Sequence, residues 1–168
     1  MANVSEAMQA KSNQLNYDDI GNGEKIIFIT NVVVKSADQP VAIYFLGCNN
    51  KPFMPSKGMI RLISCAYSEE SDNWIGKSIK LYGDPTVRWA GAEIGGIRIR
   101  AFSHIEKTGI SAFVALSRGK RRKTVIDYLE VLPTEDEAKW VSAIKANSEV
   151  INQLTDADYR LKIESFLN

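Results

Sequence analysis

The chain has few of the residues that carry most enzymatic chemistry. In 168 residues it has one histidine, His104, and two cysteines, Cys48 and Cys65. A zinc site needs several convergent ligands, and a Ser or Cys nucleophile needs an adjacent base. One imidazole and two thiols on distant segments supply neither. His104 therefore reads as a hydrogen-bonded residue near a strand end, and no metal or other cofactor is expected. The two cysteines form no CxxC pair and no disulfide framework, so both are expected to be reduced and intracellular. No stretch approaches the roughly 20 apolar residues of a membrane helix. The opening "MANVSEAMQAKSNQLNYDDI" has neither an early positive cluster nor an apolar signal core. A cytoplasmic protein without membrane contact is the expectation.

Net charge is also scarce, at +1, while a hydrophobic fraction of 45% is that of a globular domain with a core. The charge is unevenly spread. Between Lys77 and Lys123 there are eleven Lys or Arg against three acids, Asp84, Glu93 and Glu106, so this segment is +8. Residues 1–24 and 133–168 are each −3. A basic middle between acidic ends bears on partners, not on fold.

Periodicity divides the chain into a polar arm (1–22), a β-rich domain (23–132) and a helical extension (133–168). "EKIIFITNVVVKS" and "QPVAIYFLG" read as a strand pair. In "MPSKGMIRLISCAYS", Met59, Ile60, Ile63, Ala66 and Tyr67 share one helical face. "EESDN" is a loop, and "WIGKSIKLYGD" alternates Ile79 and Leu81 against Lys80 and Tyr82. "TVRWA" and "GIRIRAF" are expected to pair across "GAEIGG", with Ile97, Ile99 and Ala101 inward and Arg98, Arg100 and Phe102 outward. Trp89 falls on the aliphatic side. "SAFVALSR", a basic turn "GKRRK" and "TVIDYLEVL" complete the strands. "TEDE", with Thr134 as N-cap, and "TDAD" at Thr155 each start a helix. The expected fold is mainly β with helices (α+β): an OB-like antiparallel β-barrel with one embedded helix and a C-terminal helical extension. The helix comes earlier than in the usual OB order, so another barrel or a split sandwich stays open.

"GAEIGG" is neither GxGxxG nor GxxxxGK[ST] and joins two strands, so its glycines serve a turn and not a phosphate loop. The acids Asp84, Glu93 and Glu106 match no nuclease motif. The informative set is basic and aromatic: Lys80, Tyr82, Arg98, Arg100, Phe102 and Phe113 alternate outward, with Arg88 alongside. Arg118, Lys120, Arg121, Arg122 and Lys123 cluster at a hairpin tip. Cations pair phosphates and flat rings stack on bases, as single-stranded nucleic acid requires. The plainer reading is a solvated basic edge that discourages sheet aggregation.

The segments "KPFMPSKGMIRLISCAY", "WIGKSIKLYGDPTV" and "GGIRIRAFSHI…LSRGKR", within about residues 51–122, resemble a family of small bacteriophage and prophage proteins. Their pattern runs KPxxPxKxMRR, W-x-G-R/K, LYxDPxV, GGIRIS, SHI and TRGKR. The resemblance implies an OB-like fold and single-stranded DNA binding beside phage replication or recombination genes. It also implies basic contacts at Lys51, Lys57, Arg61, Lys77, Arg98, Arg118, Lys120 and Arg121. This chain departs at Ile60, where the family often has a cation, and at Arg100, where it often has serine.

The expected function is thus a non-catalytic phage single-stranded DNA-binding protein for replication, recombination or repair in the host cytoplasm, with RNA left open as a ligand. The acidic C-terminal helices could pack on the barrel, self-associate into a homo-oligomer or recruit a phage replication or recombination protein. A protein-interaction module that inhibits a host enzyme or defence complex is the alternative. A metal-dependent nuclease is a weaker one.

Overall fold

The structure, a computed structural model, describes residues 13–35, 40–89, 91–117, 120–131, 137–155 and 157–158, with backbone alone at 89, 112–117, 120–122 and 124. A short helix α1 (Tyr17–Ile20) leads into β1 (Glu24–Val34) and β2 (Val41–Phe45). Helix α2 (Lys57–Tyr67) and a 3-10 turn (Ser71–Trp74) precede β3 (Ser78–Asp84). Then come β4 (Arg88–Trp89), β5 (Ala92–Glu93), β6 (Gly96–Phe102), β7 (Ile110–Ser117) and β8 (Lys120–Tyr128). Helices α3 (Glu137–Ala146) and α4 (Ser148–Asn152) follow.

Six strands form one sheet in the order β2-β1-β3-β6-β8-β7, and the fold is α+β. The β-branched run of β1 is long enough to serve two neighbours. Residues 24–28 pair with β3, and residues 29–34 pair with β2. The register shifts between Ile29 and Asn31, so Thr30 is an extra residue and turns inward beside Ile29. Two expectations about the sheet are corrected. It is mixed, not antiparallel: β7 and β8 form a hairpin whose second strand inserts beside β6 and runs parallel to it. It is also not closed, because β2 and β7 stand at its edges and no pairing among the described residues joins them.

The expected pairing of "TVRWA" with "GIRIRAF" is not formed. β4 pairs with β5 in a separate two-stranded ribbon, Arg88 opposite Glu93, while β6 pairs with β3. Gly91, at φ +82°, supplies the turn that lets so short a ribbon close. "EESDN" is not all loop, since part of it forms the 3-10 turn. The "GKRRK" segment is not a turn either: Lys120–Lys123 pair with β7 as the start of β8. The Thr134 cap and the helix expected beyond Thr155 lie outside the described residues.

One core serves the sheet and the helices. Ile27 and Ile29 of β1, Ile79 and Leu81 of β3 and Ile126 of β8 meet Ile63 of α2, Ile144 of α3 and Ile151 of α4. Ser56 caps α2 by accepting the Met59 N–H at 3.3 Å, and the buried face runs through Ile63 and Tyr67. At the far end of β3, α1 packs against the strand. A Cβ at Gly83 would sit 1.6 Å from the Gly21 carbonyl oxygen, so only glycine permits that approach.

Candidate nucleic-acid interface

Strand alternation and cross-strand register build the outer face of the sheet. On β3, Ile79 and Leu81 are fully buried, which sends Lys80, Tyr82 and Asp84 to the opposite side. Residues directly opposite share a face. One row is therefore Ile26, Lys80, Ala101 and Asp127, and the next is Glu24, Tyr82 and Arg98. Lys123 and Val125 extend the face along β8, both exposed. Ile26 and Val125 are 55% and 56% exposed on this face.

The arginines of this face are not bare. The Arg98 Nε donates to Asp84 Oδ2 at 2.6 Å, with the two side chains only 26% and 18% exposed. The other oxygen of Asp84 accepts from the Thr86 amide at 2.9 Å and the Thr86 hydroxyl at 2.6 Å. Burial pushes the Asp84 carboxyl up, but the Thr86 and Arg98 hydrogen bonds together outweigh it and hold it below the usual carboxylate range. Arg100 lies with its guanidinium carbon 4.0 Å from the Tyr82 ring centroid, and its Nε is 3.3 Å from Glu24 Oε2. This second pair is half exposed, at 47% and 49%. Lys80 and Lys123 have no carboxylate partner among the described residues.

The expected site residues divide among several places. Lys80, Tyr82, Arg98, Arg100 and Lys123 share the outer face. Phe102 does not join them: it is fully buried, and its ring meets Tyr67 edge-on at 5.4 Å. A bulge is the reason. Lys80 opposes Ala101 while Leu81 opposes Ile99, so Arg100 is the extra residue and the alternation reverses beyond it. Arg88 lies on the separate ribbon, 3.1 Å from Glu93. Lys57 and Arg61 are exposed on α2. That helix packs Tyr67 against Phe102 and so covers the core side, opposite Lys80 and Tyr82. Lys51 lines a cleft with Lys25, Asp19 and Cys48. Lys77 bonds the Asn73 carbonyl and lies 5.2 Å from the Tyr67 ring, and burial lowers its pKa. Lys120, Arg121, Arg122 and Phe113 are placed by backbone in the β7–β8 hairpin. Arg118 and the side chains of those four lie outside the described residues.

Sequence reasoning missed Glu24, Ile26 and Val125. Glu24 lies outside the basic segment and reaches the face only through β1–β3 pairing. The signal that was available is the alternation Glu24, Ile26, Phe28, which places an acid and an aliphatic on one side of β1.

A second polar constellation sits where β6 ends. His104, at φ +59°, has Nδ1 2.7 Å from Ser103 Oγ and Nε2 2.7 Å from Glu137 Oε1. The residue types are those of a Ser-His-acid triad, but the arrangement is not. Ser103 has no exposed surface and its Oγ accepts the Ser78 N–H at 2.8 Å. Both imidazole nitrogens are engaged within the protein. The trio ties α3 to the end of β6. Among the described residues no three His, Cys, Asp or Glu side chains converge as metal ligands. No helix among them is long and apolar enough to cross a membrane. Comparison with protein-family models, with curated proteins and with solved structures finds no match to this chain.

Proposed function

We propose that the chain is a non-catalytic single-stranded DNA-binding protein of the phage type its 51–122 motifs resemble, serving replication, recombination or repair. The observation that supports it is the outer face of β3, β6 and β8. There Lys80, Arg98 and Arg100 lie about an outward tyrosine, Tyr82, and Lys123 stands on the same face of β8, two strands away. Cations beside a flat ring on one sheet face suit phosphates and bases together. An OB-like barrel belongs to the same reading. Its support is the pairing: β1 runs antiparallel to both β2 and β3, β3 runs antiparallel to β6, and the β7–β8 hairpin inserts β8 next to β6, which suits a partly open barrel.

The test is a fluorescence-anisotropy titration of labelled oligo-dT, duplex DNA and RNA over a range of salt concentrations. If Lys80, Arg100 and Lys123 are the phosphate contacts, the slope of log K against log salt for oligo-dT is about −2. If Arg118, Lys120, Arg121 and Arg122 also engage, it steepens toward about −5. No binding at low salt refutes the proposal. A protein-interaction module is the second reading, favoured by Ile26 and Val125 exposed on that same face. It predicts no oligonucleotide binding and a partner lost on Ile26→Ser.

A further inference from the structure

We infer that Arg100 is the exchangeable phosphate ligand of the outer face, and that Glu24 is its resident competitor, holding the guanidinium over Tyr82 until single-stranded DNA displaces it. This rests on the DNA-binding reading above and assigns roles within it.

The two β6 arginines differ in how firmly they are held. Arg98 is mostly covered, and its partner Asp84 is itself fixed by two Thr86 hydrogen bonds. Removing Arg98 from that cluster leaves a shielded carboxylate without its cation. Exchange with a phosphate is therefore unfavourable, and Arg98 is a structural clamp between β3 and β6. Arg100 and Glu24 are each about half exposed, and Arg100 is the extra residue of the bulge, which aims its side chain back along the sheet. Exposed pairs of this kind are weak and screened by salt.

Geometry makes the exchange concerted. The guanidinium covers the face of Tyr82 on which a base would stack. Moving it toward a phosphate uncovers the ring. A stacked base then replaces the lost cation–π contact, and the phosphate replaces Glu24. Glu24 meanwhile becomes an unpaired carboxylate beside the nucleic acid, so it works against binding at every stage. Removing that carboxylate should tighten binding without any new contact.

A double-mutant cycle on the full chain tests this with labelled oligo-dT at several salt concentrations. Glu24→Gln is expected to tighten binding by up to about fivefold, the worth of one exposed pair. In an Arg100→Gln background the same change should tighten binding less, because only the charge repulsion by Glu24 is left to remove. Arg100→Gln alone should flatten the salt slope by about 0.7. Arg98→Gln should leave the slope unchanged and lower the melting temperature. Equal tightening by Glu24→Gln in both backgrounds would reduce Glu24 to general charge repulsion and overturn the exchange, as would no tightening in a wild type that binds. A wild type that binds no oligonucleotide at low salt overturns the DNA-binding reading, and this inference with it. Circular dichroism of each variant separates these outcomes from loss of fold.

Discussion

Phe102 separates a core residue from a ligand contact, because the two roles give opposite results on substitution. Its ring has no exposed surface, opposes Ile79 across the sheet and meets Tyr67 at 73° between ring planes. Phe102→Ala removes a fully buried ring and leaves a cavity that a packed sheet and α2 cannot fill by small shifts. The expected cost is about 3–5 kcal/mol, which includes loss of the edge-on pair. With a urea m-value of about 2 kcal/mol/M, the unfolding midpoint falls by about 2 M. That is a large share of the stability of an ordinary domain, so Phe102→Leu is the companion, with an expected loss of about 1.5 kcal/mol. Urea melts followed by far-UV circular dichroism measure both. If Phe102→Ala unfolds at the wild-type midpoint yet loses oligonucleotide affinity, the buried assignment is wrong and the ring faces outward.

Three further perturbations probe other joints of the fold. Asn152→Ala strands the buried hydroxyl of Thr30, which donates to Asn152 Oδ1 at 3.1 Å, and should cost about 1–3 kcal/mol in a urea melt; adding Thr30→Val should recover part of that loss. Asp84→Asn should destabilise at neutral pH, with the gap to wild type closing as pH falls below about 4. The sign follows from a folded carboxyl held below its ordinary value: its stabilisation is present above the unfolded pKa and is lost as pH falls through the folded one. A thiol reagent should label one equivalent at once, the exposed Cys65, and a second only with denaturant. Cys48 is buried, burial pushes its thiol up, and the thiol donates to the Asn152 carbonyl at 3.4 Å.

Patterns that depend on near neighbours were legible in the sequence. The alternation of Ile79 and Leu81 against Lys80 and Tyr82, and the helical face of Ile63 and Tyr67, are each set within one element and appear where expected. What depends on a partner strand was not legible. "GIRIRAF" alternates without a break, and nothing local marks Arg100 as a bulge. The bulge exists because β6 must pair with β3 and still deliver Phe102 to Tyr67. The β4–β5 ribbon did leave a signal, a tight turn ending in Gly91, but the stronger strand pattern of β6 led to the longer pairing. The parallel β6–β8 contact is likewise a decision about which gap in the sheet the hairpin fills, and no residue in β8 announces it.

The same distinction governs the charge. Counted along the chain, residues 77–123 carry eleven cations against three acids. Counted over the described outer face, Lys80, Arg98, Arg100 and Lys123 meet Glu24, Asp84 and Asp127, four cations against three carboxylates. The sheet has brought Glu24 of β1 beside Arg100 and Asp84 of β3 beside Arg98, and it carries Asp127 of β8 on the same face. On the proposed reading, single-stranded DNA responds to the charge it can take over: Lys80, Lys123 and, through exchange, Arg100. One outward tyrosine and three such cations make a short footprint, because each contributes one contact to a strand of many phosphates. Tight binding through this face therefore needs the basic run that opens β8, or neighbouring molecules side by side on one strand, and the salt slope tells these apart. Recruitment of the β8 run steepens it for a single molecule. Binding by neighbours instead makes affinity rise with oligonucleotide length while the slope per molecule stays near the three-cation value.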